Sequence, residues 1–475
     1  MLLSNILLLA GLFLLIRGIP QQRIRKYFLL ALSIIFVFSL QPTLSIRNFD
    51  FWLPLTTTGL TLVCWAFCCR SDTSRLSDNR SELLIIFGTV LFIALSRLFS
   101  FEGIFTASRP PILSVSLPWI AGWFILFFIF YYFGGSKPKK LFSLFIGFIL
   151  LILILLKTPR LALQVSRFFR NLAGQSAELA TANDLRWFGF SYIAFRLLSV
   201  LIDARKGRKW VATPGDFLIY VCFPPALAAG PIDRLDHFDK ELNSVPHPFP
   251  EDFREGIPRI ATGLFKKFIL ADSLALVALS SQNAVLIKHT GWAWASLFAY
   301  SLQLYFDFSG YSDVAIGLAH LIGIKLPENF NHPYLKPDIA KFWNSWHITL
   351  TQWIRSYTFN PLVRKLRKKK DPAFPQWFMI LITQSVTMGL IGLWHGVTLN
   401  FFIWGIWNAL GLFFHQLYAD HTKNQLTTIS EGHSIAFRVY TIGSTLLTFL
   451  FVSLGWIWFV LPNIDSATLF FERLF

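Results

Sequence analysis

Charge is scarce in this chain. Asp, Glu, Lys and Arg make up 15% of its 475 residues, against about 25% in an average soluble domain. Disordered, collagenous and coiled-coil classes are excluded by the same composition. Cysteine is also rare: Cys64, Cys68, Cys69 and Cys222 are the whole set. Three of them share one apolar segment and none has metal-ligand spacing with histidine, so neither a disulfide framework nor a metal site is expected. Acids are the scarcer sign, with 26 Asp+Glu against 43 Lys+Arg and a net charge of +17. In a soluble protein such an excess points to nucleic acid. Here the basic residues sit in loops beside apolar segments, where they face anionic lipid and fix topology, so membrane lipid and no nucleic acid is the expected partner. No GxSxG elbow, P-loop, HExxH pair or dinucleotide fingerprint occurs.

What the chain has in abundance is apolar surface. Hydrophobic residues make up 54% and aromatics 17%, with 51 Phe and 17 Trp, and the mean hydropathy is +0.53. A water-exposed fold with so few charges cannot bury them. The apolar runs are long rather than alternating over about ten residues, which excludes an outer-membrane barrel. The expected fold is all-α, a polytopic integral membrane protein with 11–14 membrane helices. Stretches near 2–16, 27–41, 51–69, 83–99, 112–133 and 141–156 are read as early helices. Later ones fall near 186–203, 214–231, 258–280, 291–308, 374–394, 398–418 and 436–461. The first lacks a charged n-region and a cleavage site and reads as a retained helix. Segments 258–280 and 309–323 are polar enough to lie inside the bundle or to re-enter.

Basic loops alternate with poor ones. Arg17, Arg23, Arg25 and Lys26 follow the first stretch, Arg70, Arg75 and Arg80 the third, Lys137, Lys139 and Lys140 the fifth, and Arg205, Lys206, Arg208 and Lys209 the 186–203 stretch. The positive-inside rule makes these cytoplasmic and the N-terminus external. Residues 158–180, with Arg160, Arg167 and Arg170, read as an amphipathic segment along the outer interface. By character the chain divides into residues 1–157, an apolar packing or docking half, and 158–475, which hold the polar groups.

Ionisable groups inside a bilayer cost at least about 2.5–3.5 kcal/mol and need a protein-lined cavity or a partner. Asp307 and Asp313 flank a Ser-Gly pair in YFDFSGYSD. Asn344, His347, Gln352 and Arg355 follow in FWNSWHITLTQWIR, among Trp343, Trp346 and Trp353. On one helix Asn344 and His347, three apart, would share a face. An interfacial aromatic belt with polar residues facing water explains the same pattern. Arg364 to Lys370 reads as a topology determinant, or as contacts to a phosphorylated acyl donor. His395 ends an apolar run in GLWHG, after Trp394 and among Gly389, Gly392 and Gly396. A histidine there is either a satisfied structural group or, with a neutral ring, a general base. Without a hydrolase nucleophile, attack of a deprotonated hydroxyl on an activated acyl group is the simplest chemistry for these residues.

Six segments together resemble the membrane-bound O-acyltransferase (MBOAT) family over residues 186–418. They are GFSYIAFRLLSVLID (189–203), FPPALAAGPIDR (223–234), GLFKKFILAD (263–272), YSLQLYFDFSGYSDVAIGLAHLIGIKLPENFNHPY (300–334), FWNSWHITLTQWIRSY (342–357) and GLWHG (392–396). The version is similar to the bacterial branch that exports acyl groups onto surface polymers, as in alginate O-acetylation and teichoic-acid D-alanylation. It departs from that branch at Asn344 and Ser345, where two arginines are common, at Ser356 for an Asp and at His320 for an Arg.

The resemblance implies a ring of tilted helices around a transmembrane tunnel in a bacterial inner membrane. It implies an enzyme, transferring an acyl group, acetyl first and D-alanyl as the alternative, to a hydroxyl of a surface glycan or of an extracytoplasmic partner protein. No bound cofactor is expected; the co-substrate is an acyl thioester, acetyl-CoA or an acyl carrier protein. His395 maps to the family histidine and would be the general base. His347, with Asn344, would position the thioester or polarise its carbonyl. Trp346, Trp394, Arg355 and Asp307 complete the expected substrate-binding set. A transporter of polysaccharide or lipid-linked substrates fits the composition too, as does a non-catalytic scaffold. Inverted repeats would favour transport, and none is evident.

Overall fold

The computed structural model describes residues 3–69, 79–99, 103–133, 139–244, 249–367, 375–431 and 435–475. All regular structure among them is helical. Arg70, Arg75, Lys137 and the basic residues 368–370 lie outside the described residues. Among the described residues, six helices are long and apolar enough to cross a membrane: Phe49–Cys68, Arg80–Phe99, Leu113–Tyr132, Lys139–Lys157, Gln376–His395 and Ile435–Val460. Several others are shorter or more polar, among them Leu3–Arg17 and Phe190–Arg205.

Two expected helices are rearranged. The 214–231 stretch is helical only over Pro214–Cys222. Pro224 and Pro225 stop it, because neither ring nitrogen carries an N–H for the helix ladder, and Pro224 turns the preceding Phe223 away from the helix, to a ψ of 115°. Arg196, fully buried on Phe190–Arg205, bonds carbonyls on either side of this break. Its guanidinium donates to Val221 O at 2.8 Å and to Ala226 O at 2.7 Å. The 258–280 stretch becomes Phe249–Leu264, a widened π turn over Phe265–Ala271 and a last turn Asp272–Ala275.

The 291–308 and 309–323 stretches, by contrast, form one helix, Thr290–Leu321. Gly310 does not break it. A Cβ there would lie 2.8 Å from Gly263 O and 2.9 Å from Lys267 N, so glycine is what lets the π turn approach. Beside this contact Lys266 Nζ reaches Asp313 at 2.7 Å and Lys267 pairs with Asp307.

The chain separates into two compact units, residues 1–260 with 314–327, and residues 261–313 with 328–475. This division by compactness falls elsewhere than residue 157. In the first unit, the amphipathic segment is a helix over Pro159–Leu172. It turns Ala162, Ser166 and Arg170 inward, against a cluster with Ile46 and Leu185. Asp184 takes hydrogen bonds from Arg170 Nε (2.6 Å), Ser166 Oγ (2.7 Å) and Thr181 Oγ1 (2.6 Å). Burial alone would raise its carboxyl; the donors outweigh that and hold it well below the usual carboxylate range. The second unit carries the two histidines of interest.

Candidate active site

His347 does not lie on a continuous helix with Asn344, as the three-residue spacing suggests. Ile339–Trp343 ends before it and Ile348–Ile354 begins after it. His347 itself is left-handed, at φ 44° and ψ 54°. A non-glycine residue keeps that conformation only where surrounding bonds over-determine it. Here they come from residues 329–331. Ile348 N donates to Asn329 O at 2.9 Å, and Asn331 N to Ser345 O at 3.0 Å.

Asn329, fully buried, is the hub of this turn. Its Oδ1 accepts from Thr349 Oγ1 at 2.9 Å and from Thr349 N at 3.4 Å, and its Nδ2 donates to Ser312 Oγ at 3.2 Å. A backbone N–H can only donate, so the atom facing Thr349 is the oxygen. His347 Nδ1 lies 3.0 Å from that same oxygen. Nδ1 therefore carries the hydrogen, and Nε2 holds the lone pair of the neutral ring. Phe308 meets the imidazole edge-on at 4.7 Å between centroids. Asn329 and Phe308 lie inside the PENFNHPY and DFSGYSD motifs, but nothing in a linear spacing ties either one to His347.

His395 is the last residue of Gln376–His395 and is half-buried. Phe459 (4.8 Å), Trp404 (5.5 Å) and Phe401 (6.0 Å) box its ring. Trp394 links the two imidazoles. Its indole lies 4.6 Å from the ring of His395 and 6.4 Å from that of His347. The sum of these separations, about 11 Å, bounds the distance between the imidazole centroids. Two residues 48 positions apart in the chain thus share one indole.

Glycines make this approach possible. A Cβ on Gly392 would lie 2.1 Å from Phe401 O, and one on Gly405 2.5 Å from Met388 O. The helices Gln376–His395 and Leu399–Glu431 therefore pack backbone to backbone, as small residues permit in membranes. Asn400 Nδ2, bonded to Leu461 O at 2.9 Å, ties down the start of the second of them.

The other expected site residues fall into three places. Trp346 is buried in an aromatic cluster with Trp456 (5.3 Å), Phe330 (5.2 Å) and Phe342 (5.6 Å). This burial, shared by Trp343, is not that of an interfacial belt. Asn344 and Arg355 are exposed and bonded to each other, Arg355 Nη2 to Asn344 Oδ1 at 2.7 Å. Asn329, not Asn344, is the amide on the imidazole of His347. Asp307 directs its carboxylate at Lys267. A cavity of about 170 Å³ opens beside Asn344 and Arg355, lined also by Trp343, Gln384, Met388 and Ile391. Neither imidazole is among its lining residues.

The class defined so far is an all-helical, multi-pass membrane protein with an imidazole pair gathered on one indole. A family model described as "MBOAT, membrane-bound O-acyltransferase family" matches residues 179–455. A probable alginate O-acetylase of Pseudomonas aeruginosa is 35% identical over 295 residues, 60% of this chain and 51% of that one. A teichoic acid D-alanyltransferase of Streptococcus thermophilus is 30% identical over 302 residues, 59% of this chain and 71% of that one. A peptidoglycan O-acetyltransferase of Helicobacter pylori is 34% identical over 257 residues, covering 53% and 45%. The chain spans about half the length of the alginate and peptidoglycan relatives. It belongs to the membrane-bound O-acyltransferase family. The match runs past residue 418 into Ile435–Val460, the helix that supplies Trp456 and Phe459.

Proposed function

We propose that this protein transfers an acyl group, acetyl in the first instance, from a cytoplasmic thioester to a hydroxyl of a cell-surface polymer or of an extracytoplasmic partner. The observation that carries this reading is the meeting of His347 and His395 on Trp394. Relatives named for acetylation of alginate and peptidoglycan and for D-alanylation of teichoic acid support the reaction class.

The roles follow from hydrogen-bond capacity. The acceptor hydroxyl attacks the thioester carbonyl; a C–O bond forms and the C–S bond breaks. His395, half-buried and boxed by aromatic rings, takes the hydroxyl proton and returns it to the departing thiolate, leaving ester and thiol. A neutral His347 has given its N–H to Asn329 and offers only the Nε2 lone pair. It orients a donor hydrogen rather than polarising a carbonyl. A developing oxyanion needs an N–H, and the indole of Trp394, which touches both rings, carries a group of that type. The acyl donor, coenzyme A or a carrier protein, enters as co-substrate from the side of the basic run that begins at Arg364.

Substitution of His395 by Ala tests this. In cells making equal amounts of inserted protein, alkali-labile acyl groups on the surface polymers, measured by mass spectrometry, are expected to fall to background. Unchanged acylation would refute the enzyme reading.

A further inference from the structure

The face read as external is basic, where the positive-inside rule leaves loops poor in Lys and Arg. In the first unit, residues 40–48, 96–112 and 158–188 carry Arg47, Arg97, Arg109, Arg160, Arg167 and Arg186, besides the buried Arg170. All are arginines; these stretches hold no lysine. Among the described residues their acids are Glu178, which is exposed, and Asp184, which Arg170 already neutralises. Glu102 lies outside the described residues. Arg47, Arg160, Arg167 and Arg186 are exposed, and none has an ion-pair partner among the described residues. The loops read as cytoplasmic hold more Lys and Arg still, so the rule gives the same orientation.

These stretches are bound into one platform. Gln41 Nε2 donates to Arg186 O at 2.6 Å, and its Oε1 accepts from Phe188 N at 3.0 Å. Gln175 works the same way, with Oε1 on Arg47 N at 2.9 Å and Nε2 on Ser45 O at 3.0 Å. Asp50 takes the N–H of Ser108 at 2.7 Å, beside Arg109, whose Nη2 reaches Arg97 O at 3.3 Å. Ile46, Ala162 and Leu185 pack as one cluster, so Arg47, Arg160 and Arg186, each within two residues of one of them, stand around it. A surface held this way loses little conformational freedom on binding.

The helix Pro159–Leu172 sorts its faces. Arg160, Gln164, Arg167 and Asn171 fall at i, i+4, i+7 and i+11 and form one exposed stripe. Phe168 and Leu172, 62% and 74% exposed, lie about 90° around the axis from that stripe. With this apolar edge in lipid, the stripe faces water rather than headgroups. Arg160 and Arg167 are about 10 Å apart along the axis, farther than one phosphate spans. Guanidinium groups match carboxylates and phosphates in a bidentate fork. We propose that this platform binds an anionic glycan, its carboxylates or phosphates spaced along the arginines, and that this polymer is the acyl acceptor. The acceptor role rests on the acyl-transfer reading and narrows it to an acidic polymer. Arg47, Arg97, Arg109, Arg160 and Arg167 all precede residues 179–455, so the platform lies mostly outside the family match.

The test uses the full chain in phosphatidylcholine nanodiscs, with no acyl donor present. The probes are a galacturonate oligomer, a glycerol phosphate oligomer of equal charge, and the fully methyl-esterified galacturonate oligomer, which keeps the size and removes the charge. At least one charged probe is expected to bind about tenfold or more tighter than the ester, a difference that shrinks as salt rises. The tighter of the two identifies the anion. Arg160→Gln with Arg167→Gln, and Arg47→Gln with Arg186→Gln, are each expected to weaken that binding about tenfold, about threefold for each exposed charge contact. The substituted side chains are exposed, so the thermal midpoint should not move. Arg23→Gln, in a loop read as cytoplasmic, is the control and should bind as the unaltered protein does. Charged probes held no better than the ester, or undiminished by both pairs of substitutions, overturn the proposal and leave acyl transfer standing. Binding that disappears in nanodiscs containing phosphatidylglycerol, with that lipid released by the same substitutions, assigns the arginines to headgroups and overturns it too. Polymer binding by a protein that transfers no acyl group removes the enzyme reading, and with it the acceptor role.

Discussion

Asn329 Oδ1 lies 3.0 Å from His347 Nδ1 and 2.9 Å from the hydroxyl of Thr349. One carboxamide oxygen thereby fixes both the backbone turn and the tautomer of the ring. The sequence separation is 18 residues, and the turn is left-handed at His347, so the pairing is made by tertiary structure and not by a helix.

Asn329 is accordingly a positioning residue, and its two simplest substitutions part in a diagnostic way. Asn329→Ala removes the acceptor, lets the neutral ring adopt either tautomer, and is expected to lower kcat at least about tenfold with little change in KM. Asn329→Asp keeps an acceptor but places a negative charge against Nδ1–H, which favours the imidazolium and occupies the Nε2 lone pair. Its activity is expected to be low at neutral pH and to recover as pH rises. A pH–rate profile for Asn329→Asp that overlays that of the unaltered protein would mean the amide only holds the fold.

Gly392 is the tightest point of the paired helices that carry His395. A methyl placed there would sit 2.1 Å from the carbonyl oxygen of Phe401, a distance no real Cβ contact shows. Gly392→Ala must push the helices apart, and it moves His395 against Phe401 and Trp404. The expected result is loss of acylation together with a lower thermal midpoint in detergent. The costs are comparable to overpacking a core, about 1–3 kcal/mol. By comparison, a methyl added at Gly443, on Ile435–Val460, would meet nothing within 4 Å. Gly443→Ala is the control and should leave both readouts unchanged.

Helix positions were legible because hydropathy over about twenty residues is a local property. The bounds expected at 374–394 and 141–156 differ from Gln376–His395 and Lys139–Lys157 by only a few residues. Where reading failed, a contact distant in sequence decides. The π turn at Phe265–Ala271 and the unbroken Thr290–Leu321 helix are two sides of one approach at Gly310. The same holds for the site. The two histidines stood out as polar groups in apolar context. Asn329 did not, since its partners His347, Thr349 and Ser312 are scattered along the chain. Trp343 read as one more tryptophan in an aromatic run, and nothing in the sequence singled out Gln384. Only the folded chain brings both to one cavity.

The last prediction concerns the segment before the family core. Arg170 and Asp184 are 7% and 3% exposed and pair at 2.6 Å, and Asp184 also holds Ser166 and Thr181. Asp184→Asn removes the charge and leaves a buried guanidinium uncompensated, a change that costs about 3–5 kcal/mol in comparable pairs. The Pro159–Leu172 helix should then come loose, read as new proteolytic cleavage between residues 158 and 185 in intact membranes. The pH dependence has a definite sign. Because the folded carboxyl titrates below its unfolded value, its contribution is complete above the unfolded value, about 3.9. It is lost only as pH falls from there through the folded value. The native segment should therefore resist protease equally from about pH 5 to about pH 8. Asp184→Asn should be cleaved across that whole range, with no rescue at either end. Protection of the variant equal to that of the native protein would show that the apolar contacts of Ala162 with Ile46 and Leu185 hold the helix unaided.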